Sequence, residues 1–148
     1  MSGDGRGGSS VAARACAAVL ALVALGACVP VPEEERGVPD DVLVAEIEQI
    51  EGVVDVQGGY GDCFGCSPGY TFEIEVDDRP DPLCVLDTVY AILWQGRPAR
   101  TDVTVGRGID WWGWDQLVDD GRGATPEERY GPRPQTGKLV PPEPPACG

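Results

Sequence analysis

The spacing of apolar residues changes along the chain, and each change predicts a different element. Leu43, Ile47, Ile50 and Val54 recur at helical intervals after Pro39-Asp40-Asp41, whose aspartates suit a helix start, and Gly52 supplies a stop. Residues 53–57 then read as a short strand, and the glycines and Pro68 from Gly58 to Gly69 read as a loop. Over 70–77 the period is two: Tyr70, Phe72, Ile74 and Val76 alternate with Thr71, Glu73, Glu75 and Asp77, so one face meets a core and the other meets water. Asp78-Arg79-Pro80 turns the chain, and Asp81-Pro82 are the cap and first position of a second helix. Leu83, Leu86, Tyr90 and Leu93 form its stripe, with Val85, Val89 and Ile92 beside it, before Gly96 and Pro98 end it. Residues 101–105 make a last strand with Val103 and Val105 inward.

The order α-β-β-α-β predicts an α+β domain, a two-layer sandwich with two helices on one face of a small, mainly antiparallel sheet. In element order alone, residues 38–106 resemble a small ferredoxin-like or BON-like module. Such a likeness implies a fold and no function. Beyond Gly108 the pattern weakens. Residues 109–118 suit a short helix, and Thr125-Pro126-Glu127-Glu128 is a capping box with proline at the first helical position. The packed domain is placed at 38–118, with 119–148 as an extended Pro-rich tail.

The chain's start has a separate logic. Residues 1–14 are polar with Arg6 and Arg14, residues 15–25 are apolar, and Gly26, Ala27 and Cys28 follow. A charged lead, a short apolar stretch and small residues before a cut make a secretory signal. The apolar run is too short to span a bilayer, which takes about 20 residues. Leu25-Gly26-Ala27-Cys28 resembles the lipobox of bacterial lipoproteins, and the glycine, alanine and valine bias is similar to small lipoproteins of high-GC Gram-positive bacteria. The resemblance implies a diacylglyceryl thioether on Cys28, removal of residues 1–27, and a mature protein held on the outer face of the cell membrane. Residues 28–37 are then the lipidated cysteine and a flexible tether, because Val29-Pro30-Val31-Pro32 and the acidic run Glu33-Glu34-Glu35 resist packing.

Composition narrows the activities. The formal charge is −14; residues 1–27 hold Asp4, Arg6 and Arg14, a net +1, so the remainder carries −15. Such a surface repels phosphate backbones, which argues against a nucleic-acid partner. The chain has no histidine, which removes the usual general base and the commonest metal ligand. After Cys28 the only serine is Ser67, in a Ser-Pro-Gly turn. A serine hydrolase is thereby set aside, and no cofactor or metal is expected.

With Cys16 in the signal and Cys28 lipidated, Cys63, Cys66, Cys84 and Cys147 remain, an even set that suits two disulfides outside the cell, in one of three connectivities. Cys63 and Cys66 lie at one end of the 70–77 strand and Cys84 beyond its other end, roughly 25 Å away. Bridged Cα atoms sit within about 7 Å, so Cys63–Cys66 with Cys84–Cys147 is the expected pairing. Cys63-Phe64-Gly65-Cys66 also has the C-x-x-C spacing of redox and metal-handling sites. It lacks the helix start and basic neighbour that lower a thiol pKa, and Asp62 adjoins it, so a structural staple is the preferred reading.

Trp111, Trp112 and Trp114 are the last candidates. Exposed, they would stack on sugar faces; packed, they would fasten their segment to the core, which is the preferred reading. Asp115, Asp119, Asp120 and Gly121 lack the ligand spacing of a calcium loop, and Glu73 and Glu75 lie on a wet strand face where nothing tunes them for acid–base work. The sequence therefore predicts a membrane-anchored, non-catalytic binding module of the cell envelope, with an envelope protein or glycan as partner. Thiol-redox or metal handling by Cys63 and Cys66 is one alternative, and glycan binding by the tryptophans is the other.

Overall fold

The computed structural model describes residues 37–62, 65 and 67–142. The signal segment, Cys16, Cys28, the tether up to residue 36, and Cys63, Cys66 and Cys147 lie outside the described residues. The elements are α1 (Asp40–Ile47), β1 (Val53–Gly61), β2 (Gly69–Val76), α2 (Pro82–Leu93), β3 (Arg100–Arg107), β4 (Asp110–Trp112), α3 (Trp114–Val118) and α4 (Pro126–Tyr130). The class is α+β, and the four strands lie in one sheet in the order β1-β2-β3-β4.

The sheet is mixed. β1 pairs with β2 and β3 with β4 antiparallel, but the central pair β2–β3 is parallel. The connection explains this: α2 carries the chain back across the sheet, so β3 starts at the same end as β2 and must run the same way. Asp81 caps α2 by accepting a hydrogen bond from the Leu83 amide at 3.0 Å, with Pro82 in the first turn.

α1 and α2 cover one sheet face. Leu43 and Ile47 from α1 meet Val85, Leu86, Val89, Ile92 and Leu93 from α2 over Phe72, Ile74, Val103 and Val105. Each such side chain, fully buried, stabilises the fold by about 1.5–3 kcal/mol. Alternation in β2 is regular, with Tyr70, Phe72, Ile74 and Val76 buried and Thr71, Glu73 and Glu75 exposed.

Several boundaries differ from the sequence expectation. β1 continues past Gln57 through the glycines to Gly61, because β2 offers a full ladder of partners, Gln57 opposite Glu73 and Tyr60 opposite Tyr70. A β-carbon on Gly58 would stand 2.0 Å from the Thr71 carbonyl oxygen, so the glycine is what lets the strands approach. Val54 is not on a helical stripe: it lies at a bulge in β1 and is exposed. Asp40 does not cap α1, whose N-cap is Pro39. Residues 110–112 form a strand rather than helix, since Gly108, at φ +64°, folds the chain back as a hairpin onto β3.

The segment after Val118 is not simply extended. The capping box is present: the Thr125 hydroxyl accepts from the Glu128 amide at 3.3 Å, and the Glu128 carboxylate accepts from the Thr125 amide at 3.1 Å. α4 packs on α2, and Tyr130 and Leu139 lie against the core. Further on, Gln95 clasps Val140, accepting from its amide at 2.7 Å and donating to its carbonyl at 2.7 Å. α2 is therefore covered on more sides than its apolar stripe implied, and Asp87 and Thr88 are buried with it.

Candidate functional site

The sheet face turned away from the helices is open. The register sets Asp55 opposite Glu75, Gln57 opposite Glu73 and Gly59 opposite Thr71. It also brings Asp102, Thr104 and Gly106 of β3 beside Thr71, Glu73 and Glu75. Asp55, Gln57, Thr71, Glu73, Glu75 and Asp102 are all exposed. The face thus holds four carboxylates, two of them directly across an antiparallel pair, where like charges destabilise.

Trp111 stands on this face, opposite Gly106. A β-carbon on Gly106 would lie 2.7–2.8 Å from three atoms of the indole's six-membered ring, so the ring rests on the glycine backbone. It remains 45% exposed. Trp112, one residue on, points to the other face opposite Val105 and packs against the core. Trp114 packs against Tyr90 at a tilt of 59°, ring centroids 4.7 Å apart. The three indoles therefore share no platform: Trp112 and Trp114 pack against the core, and Trp111 alone belongs to the open face.

A groove of about 270 Å³ lies elsewhere, lined by Tyr90, Trp94, Trp114, Ala99, Thr101 and Arg100 with Pro126. The polar atoms of Tyr90 and Trp94 are already committed. The Tyr90 hydroxyl accepts from the Val103 amide at 3.3 Å, and the Trp94 indole N–H donates to the Gly131 carbonyl at 3.0 Å. The Arg133 guanidinium sits 3.9 Å above the Trp94 ring.

Two polar clusters escaped the sequence reading. In the first, Asp87, 5% exposed, accepts from Arg129 Nε at 2.6 Å, from the Tyr130 hydroxyl at 2.7 Å and from Arg122 at 2.8 Å. Arg129 also donates both terminal nitrogens to Asp120 at 2.8 and 2.7 Å. The Arg129 hydrogen bonds hold the Asp120 carboxyl well below its ordinary range, while burial and then the bond to Asp87 push the Tyr130 phenol up. In the second, the Tyr70 hydroxyl donates to Asp40 at 2.7 Å, Arg97 pairs with Asp40 at 2.7 Å, and the Arg97 guanidinium lies 4.2 Å over Tyr60. Burial first, then the Asp40 bond, raises the Tyr70 pKa to about 12. Both clusters tie chain segments together with every carboxylate matched, the arrangement of a structural staple. The signal that exposes the first is an aspartate within the apolar run 83–93, since a buried carboxylate requires partners.

Cys84, at the start of α2, is disulfide-bonded. Among the described residues no cluster of three or more acidic or cysteine side chains is arranged to hold a metal ion, and no helix is long and apolar enough to cross a membrane. No protein-family model, curated protein or solved structure matches the chain.

Proposed function

We propose that the chain is an extracytoplasmic lipoprotein, anchored through lipid on Cys28, whose α+β domain is a non-catalytic binding module presenting its open sheet face to a partner in the cell envelope. One observation carries the binding reading. All the described helices that pack on the sheet serve its other face, leaving Asp55, Gln57, Glu73, Glu75, Asp102 and Trp111 uncovered. The lipobox carries the anchoring reading, and the prolines and glutamates before residue 38 give the domain reach from the bilayer.

Within the α+β class, the reading for α1 to β3 is a small BON-like sandwich. A ferredoxin-like unit sets a strand before its first helix, and among the described residues none precedes α1. For the disulfides, reach favours Cys84–Cys147. The clasp of Val140 by Gln95 starts the last stretch of chain about 16 Å from Cys84 along the α2 direction, and seven residues, from Pro141 to Cys147, have a maximum reach of about 22 Å at the polyproline rise, enough to close that distance. Cys63 and Cys66 are left to pair with each other, as a staple between β1 and β2.

Expression in a host with lipoprotein-processing enzymes and an alkyne-tagged fatty acid tests the anchor. Label should enter the protein and be lost in Cys28→Ser, with release of the protein from the membrane fraction. Unchanged membrane retention without label in the parent chain would refute the anchor.

A further inference from the structure

Resting on the binding-module reading, we infer that the open sheet face docks a basic polypeptide segment, with an arginine or lysine of that segment seated on the Trp111 ring and its neighbours paired to Glu73 and Glu75. Four observations converge on a cation. First, the face is built at a cost: Asp55 and Glu75 stand opposite one another across β1–β2, where like charges repel. Asp55 has its own neighbour Gln57 as a donor at 2.7 Å, an amide that brings no charge. Second, the arginines of the described residues are largely committed elsewhere. Arg79 holds Asp77 and Glu51, Arg97 holds Asp40, and Arg122 and Arg129 hold Asp87 and Asp120. Arg107 donates to the carbonyls of Asp77 and Pro80, and Arg133 lies on Trp94. On the open face itself, among the described residues, only Arg100 approaches a carboxylate, Asp102, at 3.9 Å with both groups well exposed.

Third, the aromatic seat is preformed. Gly106 lets the Trp111 ring rest on the strand, so one ring face is held by backbone and the rest is offered to solvent. An indole face attracts a guanidinium or ammonium through its quadrupole. Glu75 of β2 neighbours Gly106 of β3, over which the Trp111 ring of β4 lies, so a cation on the ring has a carboxylate on the strand next to β3. Fourth, the spacing suits an extended chain. Glu73 and Glu75 are two residues apart on one strand face, about 6.6 Å, the repeat with which an extended peptide presents alternate side chains. A face with net negative charge and one flat aromatic is complementary to alternating basic residues, whereas the three tryptophans, which are dispersed, form no shared platform for a sugar.

The full chain in a zwitterionic detergent, titrated with a peptide of alternating arginine and serine at physiological salt, tests this independently of the anchor. The control peptide carries citrulline, the uncharged isostere, in place of arginine. Glu73→Gln/Glu75→Gln should weaken arginine-peptide binding about tenfold, two surface charge contacts being lost. Glu48→Gln/Glu127→Gln, which removes the same charge from exposed positions at the α1 C-cap and on α4, should change it less than twofold. Trp111→Leu, which keeps an apolar cover on Gly106, should weaken it about threefold and abolish any change in tryptophan emission on binding. Equal losses in the two double variants would mean that net charge alone attracts the peptide and would overturn the proposal. Tight binding of the citrulline peptide, or binding of a cell-wall oligosaccharide that Trp111→Leu removes while the arginine peptide is indifferent to every variant, would overturn it too. Failure of fatty-acid labelling would sink the anchor and leave this result standing.

Discussion

Arg129 is the residue on which the structure makes its sharpest stability claim. Its side chain is 2% exposed, and it donates one hydrogen bond to Asp87 and two to Asp120. Arg129→Ala removes all three. The Asp120 side chain, a third exposed, regains water, but the buried Asp87 carboxylate is left with Arg122 and Tyr130. Breaking a buried pair by deleting one partner costs about 3–5 kcal/mol, and the two remaining donors place this case near the lower end, about 3 kcal/mol. That is a large fraction of the 5–15 kcal/mol typical of a domain, and it lowers Tm by roughly 12–18 °C at this size. Urea unfolding of the full chain followed by far-ultraviolet circular dichroism reads the change in midpoint at constant m. Replacing both partners, Asp87→Leu with Arg129→Met, should cost less than either single change, because no orphaned buried charge remains. A loss below about 1 kcal/mol in Arg129→Ala would refute the reasoning. It would mean that the segment bearing α4 does not unfold with the sheet and α2.

Other outcomes follow from the same geometry. Asp120 has a folded pKa below its unfolded value, so its stabilisation is complete above about pH 4 and is lost as acid lowers the pH through the folded value; Asp120→Asn should flatten this part of the acid-unfolding curve. Tyr70 is shifted the other way, to about 12, so its contribution is intact below about pH 10 and lost as the pH rises through 12. Tyr90 and Tyr130 are raised as well, chiefly by burial, so tyrosinate absorbance should show three of the four tyrosines ionising above the normal range, with Tyr70→Phe removing one late step. Gly106→Ala forces a β-carbon into the Trp111 ring and should cost about 1–3 kcal/mol, with a shift in tryptophan emission as the ring lifts. Non-reducing peptide mass spectrometry should recover a Cys84–Cys147 crosslink, and a Cys84–Cys63 or Cys84–Cys66 crosslink would disprove the reach argument.

Much of the fold was legible because it rests on short-range pattern. Strict alternation over 70–76 can only put one face of β2 inside, Asp81-Pro82 can start α2 with its own side chain and ring, and Thr125 with Glu128 closes α4 through contacts three residues apart. The wet placement of Glu73 and Glu75 follows from the same alternation. What depended on distant partners was not legible. The glycines after Gln57 read as a loop in isolation and become strand only because β2 supplies their hydrogen bonds. Residues 110–112 carry helical apolar spacing, yet pair with β3 once Gly108 turns the chain. Trp111 and Trp112 are neighbours in sequence and end on opposite sheet faces, a consequence of strand period that appears only when the strand is known.

By itself the sequence determined the alternation, the caps, the acidic charge, the absence of histidine and the lipobox resemblance, since each is a property of residues close together along the chain. The tertiary structure decided that the central strands run parallel, that Asp87 and Arg129 meet in the interior, and that Trp111 alone joins the carboxylates of the open face. These are contacts between residues far apart in the chain, and their energies arise from desolvation and register, which exist only once the sheet has formed.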